Sequence, residues 1–351
     1  MLSNDITESL VEQVSEALGH ESPLVIEGGG SKAFYGYPQS ADLQRLHTVE
    51  HRGVIDYSPD ELVIHVRAGT PLSEVKQLVR DNGQMLAFEP PDFGGNATIG
   101  GVIASGLSGP RRPYAGAARD FVLGLTLIAG AAEVLTFGGQ VMKNVAGYDV
   151  SRLVTGALGT LGVILDVSLK VLPAPELEVT RTIAVARHEF QALLQSMGRH
   201  IPISAAAHED GYLSIRVSGS ETAVTAALGK LAGEEKENAY WDQLNNLDHF
   251  ADASELWRVS VAPGSGAMLE EAALVDWGGG LRWVSEPEVG PRKKLAGEGH
   301  ATLMKYNAQS LDSGLDIFQP LGEPLAGIHL RLKQQFDPAG IFNPGRMYRD
   351  F

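Results

Sequence analysis

The chain has 351 residues, 44% of them apolar and 20% charged, with a formal charge of -15 at pH 7. That length suits two domains around a sizeable core, no apolar run reaches the roughly eighteen residues of a membrane span, and the acidic balance disfavours a nucleic-acid backbone as partner. No cysteine is present, which excludes a thiolate nucleophile, a disulfide shuttle and a cysteine-ligated iron-sulfur cluster within the chain.

The N-terminal stretch "MLSNDITESLVEQVSEAL" is acidic and interrupted where a signal peptide would be basic and then continuously apolar, so a cytoplasmic location is expected. Ser3 and Asp5 offer N-caps for a helix carrying Ile6, Leu10, Val14, Ala17 and Leu18 at helical spacing. "PLVIE" (23–27) reads as a buried strand leading into "GGGSKAFYGYP". "ELVIHVRAG" (61–69) is a second strand; Thr70 as cap, Pro71 at the first helical position and apolar Leu72, Val75, Leu78 and Val79 predict a helix that "NG" stops. Residues 121–139 predict a hairpin, 149–155 a short helix, and "GVILDVSLKVL" an alternating strand. After "LPAPE" the texture changes to a loose strand-helix-strand-strand-helix order over 180–232, which places a domain boundary near 173. A last helix is expected over 323–336, followed by the turn-rich "FDPAGIFNPGRMY".

Glycine clusters carry the chemistry. A residue without Cβ lets a ligand approach main-chain N–H groups, and two such loops facing each other would cradle a diphosphate. The chain supplies "EGGGSK" (27–32), "GGNATIGG" (94–101) and "ASGLSG" (104–109), with hydroxyls at Ser31, Thr98 and Ser105. Backbone donors of this kind suit an acidic protein that binds a dinucleotide. Gly28, Gly30 and Ala33 fit the relaxed Rossmann spacing, but Gly36 and Pro38 interrupt the helix which that fingerprint must open.

Taken in order, "EGGGSK", "RAGT", "EPPDFGGNATIGGVIASGLSG", "RDFVLG", "KNVAGYDVSRLVTGALGTLGVIL" and "FDPAGIFNPGRMY" resemble the vanillyl-alcohol-oxidase type of FAD-binding flavoproteins, over about residues 1–173 and the last thirty. Within it, "SGPRRPYAGAARDFVLG" and "GGQVMKNVAGYDVSRL" are most similar to the family of FAD-binding E subunits of bacterial glycolate oxidase complexes. The resemblance implies an α+β fold: a two-part FAD-binding domain of the PCMH type (1–173), a smaller α+β cap domain (174–320), and a C-terminal helix and tail (321–351) returning to the FAD domain. It implies FAD held by Gly28, Gly29, Gly30, Ser31, Lys32, Pro90, Pro91, Thr98, Ile99, Gly100, Gly101, Ser105, Gly106, Gly162, Val163 and Ile164. The cofactor is expected to be non-covalent, because Ser31 stands where some relatives carry a flavin-linked histidine.

Relatives that oxidise 2-hydroxy acids carry a motif of the type "HxGDGNxH" in the cap. Here the nearest stretch, "GEGHATLMK" (297–305), has His300 alone. The resemblance therefore implies a subunit of a glycolate oxidase, with a catalytic flavoprotein subunit and an iron-sulfur subunit as partners. Glycolate would give up a hydride to a flavin, and electrons would pass to a quinone; no metal is expected in this chain, and any contact with the inner membrane would run through the partners. Two rival readings remain. One is a self-contained oxidase using His300, Arg111 and Tyr148; the other is a flavin-free structural subunit.

Two further patterns carry no site, and a third stays open. "HTVEH" (47–51) matches a zinc-protease spacing but lies in strand-and-turn sequence, where residues four apart diverge by about 13 Å. "SEVK" (73–76) falls on an amphipathic helix without the companion motifs of serine-lysine enzymes. Arg111 and Arg112 offer guanidinium forks to a carboxylate substrate or to an acidic partner surface.

Overall fold

The computed structural model describes residues 3–139, 148–198, 200–307, 310 and 314–351. Two compact units emerge. The first comprises 1–107, 117–174 and 320–351; the second comprises 108–116 and 175–319.

In the first unit, strand β1 (Leu24–Glu27) pairs in parallel with β2 (Gln44–His47). A five-stranded antiparallel sheet follows, in the order β3 (Val54–Ser58), β4 (Val63–Arg67), β8 (Val163–Lys170), β6 (Val122–Ile128), β7 (Val134–Gly138). The predicted hairpin is β6 and β7, joined in register from Gly124 opposite Gly138 to Ile128 opposite Val134. A two-stranded ribbon joins β5 (Gln84–Met85) to β9 (Leu172–Pro173).

The first helix, Thr7–Gly19, buries Leu10, Val14 and Ala17 on one stripe. These meet Leu24, Leu46, Ile128, Val163, Ile341 and Phe342 in one apolar cluster, so the C-terminal tail is part of this core. Neither expected N-cap takes that role: Ile6 precedes the helix, while Asp5 accepts from the Thr7 N–H at 3.0 Å and pairs with Arg67 at 2.9 Å. Hydrogen bonds from Thr7 and Arg67 hold the Asp5 carboxyl well below the usual range. The second helix, Leu72–Asp81, likewise begins one residue later than its sequence suggests. Thr70 is drawn away because its hydroxyl, fully buried, accepts from the Gly53 N–H at 2.9 Å.

The second unit is an eight-stranded sheet in the order β13 (Glu234–Lys236), β10 (Leu177–Ala184), β12 (Tyr212–Gly219), β11 (Ile203–Glu209), β15 (Leu274–Asp276), β16 (Leu281–Ser285), β14 (Leu256–Val261), β17 (Gly299–Lys305). All its pairings are antiparallel. Its core gathers Phe190, Leu213, Ile215, Val217, Trp257 and Val284. Five strands, β13 to β17, lie beyond the segment where the sequence shows a clear element order.

Residues 108–116 belong to this unit, although the sequence places them within the first domain. The side-chain chemistry explains it. Trp277 donates its indole N–H to the Gly109 carbonyl at 3.1 Å, and Arg111 pairs with Glu178. Burial would raise the Glu178 carboxyl, but Arg216 and Arg111 outweigh it and hold the group below its ordinary value. Arg111 is thereby engaged inside the unit, and the Arg112 guanidinium lies 4.3 Å from the Trp277 ring centre.

No helix among the described residues is long and apolar enough to cross a membrane, and no group of three or more potential metal ligands occurs among them. His47 ends β2, exposed, whereas His51 is buried with its Nδ1 accepting from the Ile6 N–H at 3.3 Å. A ring nitrogen that accepts is unprotonated, and burial pulls the His51 pKa down.

Candidate functional site

A cavity of about 320 Å³ lies in the first unit, within the size range of small-molecule sites. Its floor and one wall are the end of β1 and the glycine segment Gly28–Lys32; the facing wall is Thr98, Gly101, Ala104 and Ser105; Arg45, Leu158, Asn343 and Arg346 also line it.

The two glycine segments touch, and that contact is why glycine is needed. A Cβ on Gly29 would stand on the Asn96 carbonyl, 2.7 Å from its carbon and nearer still to its oxygen. One on Gly28 would strike the Thr98 hydroxyl. A side chain at either position would have to push the two walls apart. Across the same seam Phe34 and Phe93 meet edge to face at 5.0 Å.

The donors line up along this seam. Among the described residues, no protein acceptor receives the backbone N–H of Gly29, Gly30 or Ser31, so these three remain for a ligand. The hydroxyls divide. Ser105 donates to the Val102 carbonyl at 3.0 Å and keeps only acceptor capacity, while the Thr98 oxygen accepts from the Gly101 N–H at 3.4 Å and retains its hydrogen. Ser31 accepts from Lys32 Nζ at 3.3 Å and also keeps its proton for donation. Unpaired main-chain donors beside a lysine, in walls where no Cβ fits, suit a diphosphate.

Eight of the sixteen residues expected from sequence line this cavity: Gly28, Gly29, Gly30, Ser31, Lys32, Thr98, Gly101 and Ser105. The other eight lie elsewhere. "ATIGG" is not an open loop; Thr98 caps a short helix, Ile99–Ser105, in which Ile99 is buried and Gly100 lies flat on Ala68. Gly106 ends that helix in a left-handed conformation against Gly156. Gly162 crowds the Ile128 carbonyl, while Val163 and Ile164 open β8 as buried residues. Pro90 and Pro91 are buried, and the Pro90 carbonyl accepts from Lys76 at 3.3 Å. Tyr148 and the "KNVAG" part of the family-like motif lie outside the residues whose side chains are described.

Sequence reasoning missed how the tail holds the glycine segment. Arg346 donates to the carbonyls of Lys32 (3.3 Å), Ala33 (2.9 Å), Tyr35 (2.8 Å) and Tyr37 (2.7 Å). Asn343 accepts from the Ile26 N–H at 2.8 Å and donates to the Leu158 carbonyl at 2.7 Å. The signal available was "IFNPGR", an apolar pair followed by two polar side chains with no solvated face to occupy. Replacing Arg346 with alanine strips one partner from each of four carbonyls. We expect ligand affinity at the cleft to fall about tenfold, with lysine restoring little because an ammonium cannot fork to so many acceptors; fluorescence titration with FAD is the measurement.

The comparisons with known proteins can now be set beside this geometry. A family model described as FAD binding domain matches residues 5–138. The glycolate oxidase subunit GlcE of Escherichia coli (strain K12) is 44% identical over 353 aligned positions, which cover 99% of this chain and 98% of that protein. The chain belongs to the GlcE family of glycolate oxidase subunits. Membership makes it an FAD-binding oxidoreductase subunit. The GlcE-like chain is also 31% identical to glycolate oxidase subunit GlcD of Bacillus subtilis (strain 168), over 46% of its own length and 34% of that protein's. In fold it matches an alkyldihydroxyacetonephosphate synthase structure with a TM-score of 0.67 at 15% identity, covering 98% of this chain and 75% of the other.

Proposed function

We propose that this chain is the FAD-holding subunit of a multi-subunit glycolate oxidase, with its cofactor seated in the cavity between Gly28–Lys32 and Thr98–Ser105. The observation that carries the reading is the near end-to-end similarity to a GlcE protein, joined to a cleft whose free backbone donors suit a diphosphate. FAD, when bound, supplies the hydride- and electron-accepting chemistry. The chain's own part is to bind and orient: Gly29, Gly30 and Ser31 offer N–H donors, the Thr98 and Ser31 hydroxyls keep protons to donate, and the tail holds the segment in place.

The partners in this reading are a catalytic flavoprotein subunit and an iron-sulfur subunit. A chain without cysteine cannot hold a cysteine-ligated cluster, so electrons bound for a quinone must leave through another chain. The working place is the cytoplasmic side of the membrane, with any membrane contact made by those partners.

The self-contained oxidase is the weaker reading on particular residues. Arg111 is engaged with Glu178 rather than offered to a substrate, and His300 is an exposed residue of β17 opposite Ser260. The deciding experiment is an absorption spectrum of the purified chain before and after anaerobic glycolate. We expect a yellow protein that stays oxidised alone and bleaches once the other subunits are added. Bleaching by glycolate alone would establish the self-contained oxidase, and a colourless chain that cannot be reconstituted would remove the cofactor assignment.

A further inference from the structure

Among the described residues, three cationic side chains line the cavity, and they are not equivalent. Arg45 pairs with Glu27 at 3.0 Å. The Arg346 guanidinium is spread over four carbonyls. Lys32 instead donates to a neutral hydroxyl, Ser31 Oγ, and its ammonium sits 5.6 Å from the centre of the Phe93 ring. The side chain is half-buried beside the unengaged N–H groups of Gly29, Gly30 and Ser31. A partly desolvated cation next to a row of free donors favours a compact anion over water.

We propose that Lys32 is the charge-neutralising contact for the diphosphate of the cofactor, and that through it the retention of FAD falls as the medium turns alkaline. The inference rests on the FAD reading above and adds a residue-level control to it.

The direction follows from what surrounds the ammonium. Burial pulls the Lys32 pKa down to about 8, with Asp92 raising it and Lys76 lowering it by smaller amounts. Of the other charges lining the cavity, Glu27 and Arg45 neutralise each other and Arg346 is held by carbonyls. A bound anion favours the charged lysine, so the pKa in the complex lies above that of the free protein. Affinity is then flat below the free-protein value. It declines about tenfold per pH unit above it, until the value for the complex is reached.

The test is a titration of the flavin-free full-length chain with FAD, followed by quenching of flavin fluorescence, from about pH 6.5 to about pH 9.5 on either side of the lysine's transition. For the parent chain we expect Kd to rise about threefold between pH 8 and pH 9 and to approach tenfold over the whole range, and raised salt to weaken binding. Lys32→Arg keeps its charge throughout and should bind with no slope in this range. Lys32→Gln should bind about tenfold more weakly below pH 8, with no pH slope and a weaker salt dependence than the parent. Parent-like affinity and slope in Lys32→Gln would overturn the assignment while leaving FAD binding intact. Failure of the parent chain to bind FAD at any pH would instead overturn the cofactor reading, and this inference with it.

Discussion

Gly29→Ala yields a folded protein that no longer retains FAD. The added methyl meets backbone, the Asn96 carbonyl, and backbone has no rotamer to yield. Relief requires the segment Gly28–Lys32 and the turn before Thr98 to separate, which displaces the free donors on one wall from the hydroxyl on the other. Overpacking of this kind costs about 1–3 kcal/mol, and here it falls on the geometry that grips the ligand. The expected loss is about a hundredfold in affinity, near 3 kcal/mol, with little change in the melting temperature of the flavin-free chain. Gly19→Ala is the control, since a Cβ there meets nothing within 4 Å. Stoichiometric flavin in purified Gly29→Ala would show that the cofactor does not depend on the closeness of these walls.

Asp337→Ala should produce the largest loss of stability. Lys333 is buried and donates to Asp337 Oδ2 at 2.7 Å, to the Thr160 carbonyl at 2.8 Å and to the Phe342 carbonyl at 2.9 Å. Burial pulls the Lys333 pKa down while Asp337 restores part of it. The carboxylate also accepts the N–H groups of Ile341 and Phe342 at 3.0 and 2.8 Å. Removing it leaves a buried ammonium without its counter-charge and two buried donors without an acceptor. Breaking such a pair costs roughly 3–5 kcal/mol, which corresponds to a fall in Tm of about 10 °C for a unit of this size. Calorimetry of the flavin-free chain measures it directly; a Tm within about 2 °C of the parent would mean that the Lys333–Asp337 pair does not hold the tail.

Much of the first unit was legible because its elements announce themselves locally. "PLVIE" is short, apolar and bounded by turn residues, and the two halves of 121–139 flank the small-residue turn "AGAAE". The first helix carries Leu10, Val14 and Ala17 at a spacing that only a helix places on one face. The Ile99–Ser105 helix was not legible. Gly100 and Gly101 are poor helix formers, and what holds them is tertiary: Gly100 lies flat against Ala68, which no periodicity reveals. In the second unit, β14 to β17 obtain their identity from neighbours far along the chain, as when Arg258 pairs with both Trp283 and Thr302.

The candidate cleft shows the same division. Gly28 to Lys32 and Thr98 could be singled out because bare backbone next to a strand has a chemical purpose. Asn343 and Arg346 could not, because their partners are carbonyls and an N–H group in distant segments, and main-chain partners leave no trace in residue identity. Lys32 was visible as a neighbour of the glycines. Its distinct position beside Arg45 and Arg346 emerged only once Glu27 and four carbonyls were seen to engage the other two.

The grip of Arg346 on the glycine segment spans more than 300 positions of sequence, with separations of 309 to 314 residues. During synthesis the glycine segment therefore leaves the ribosome long before its clamp exists. Asn343, which anchors the preceding strand through Ile26, arrives equally late. Until residues 343–346 are made, a nascent chain has the donors but nothing to hold them in place, so closure of the glycine segment waits for the tail.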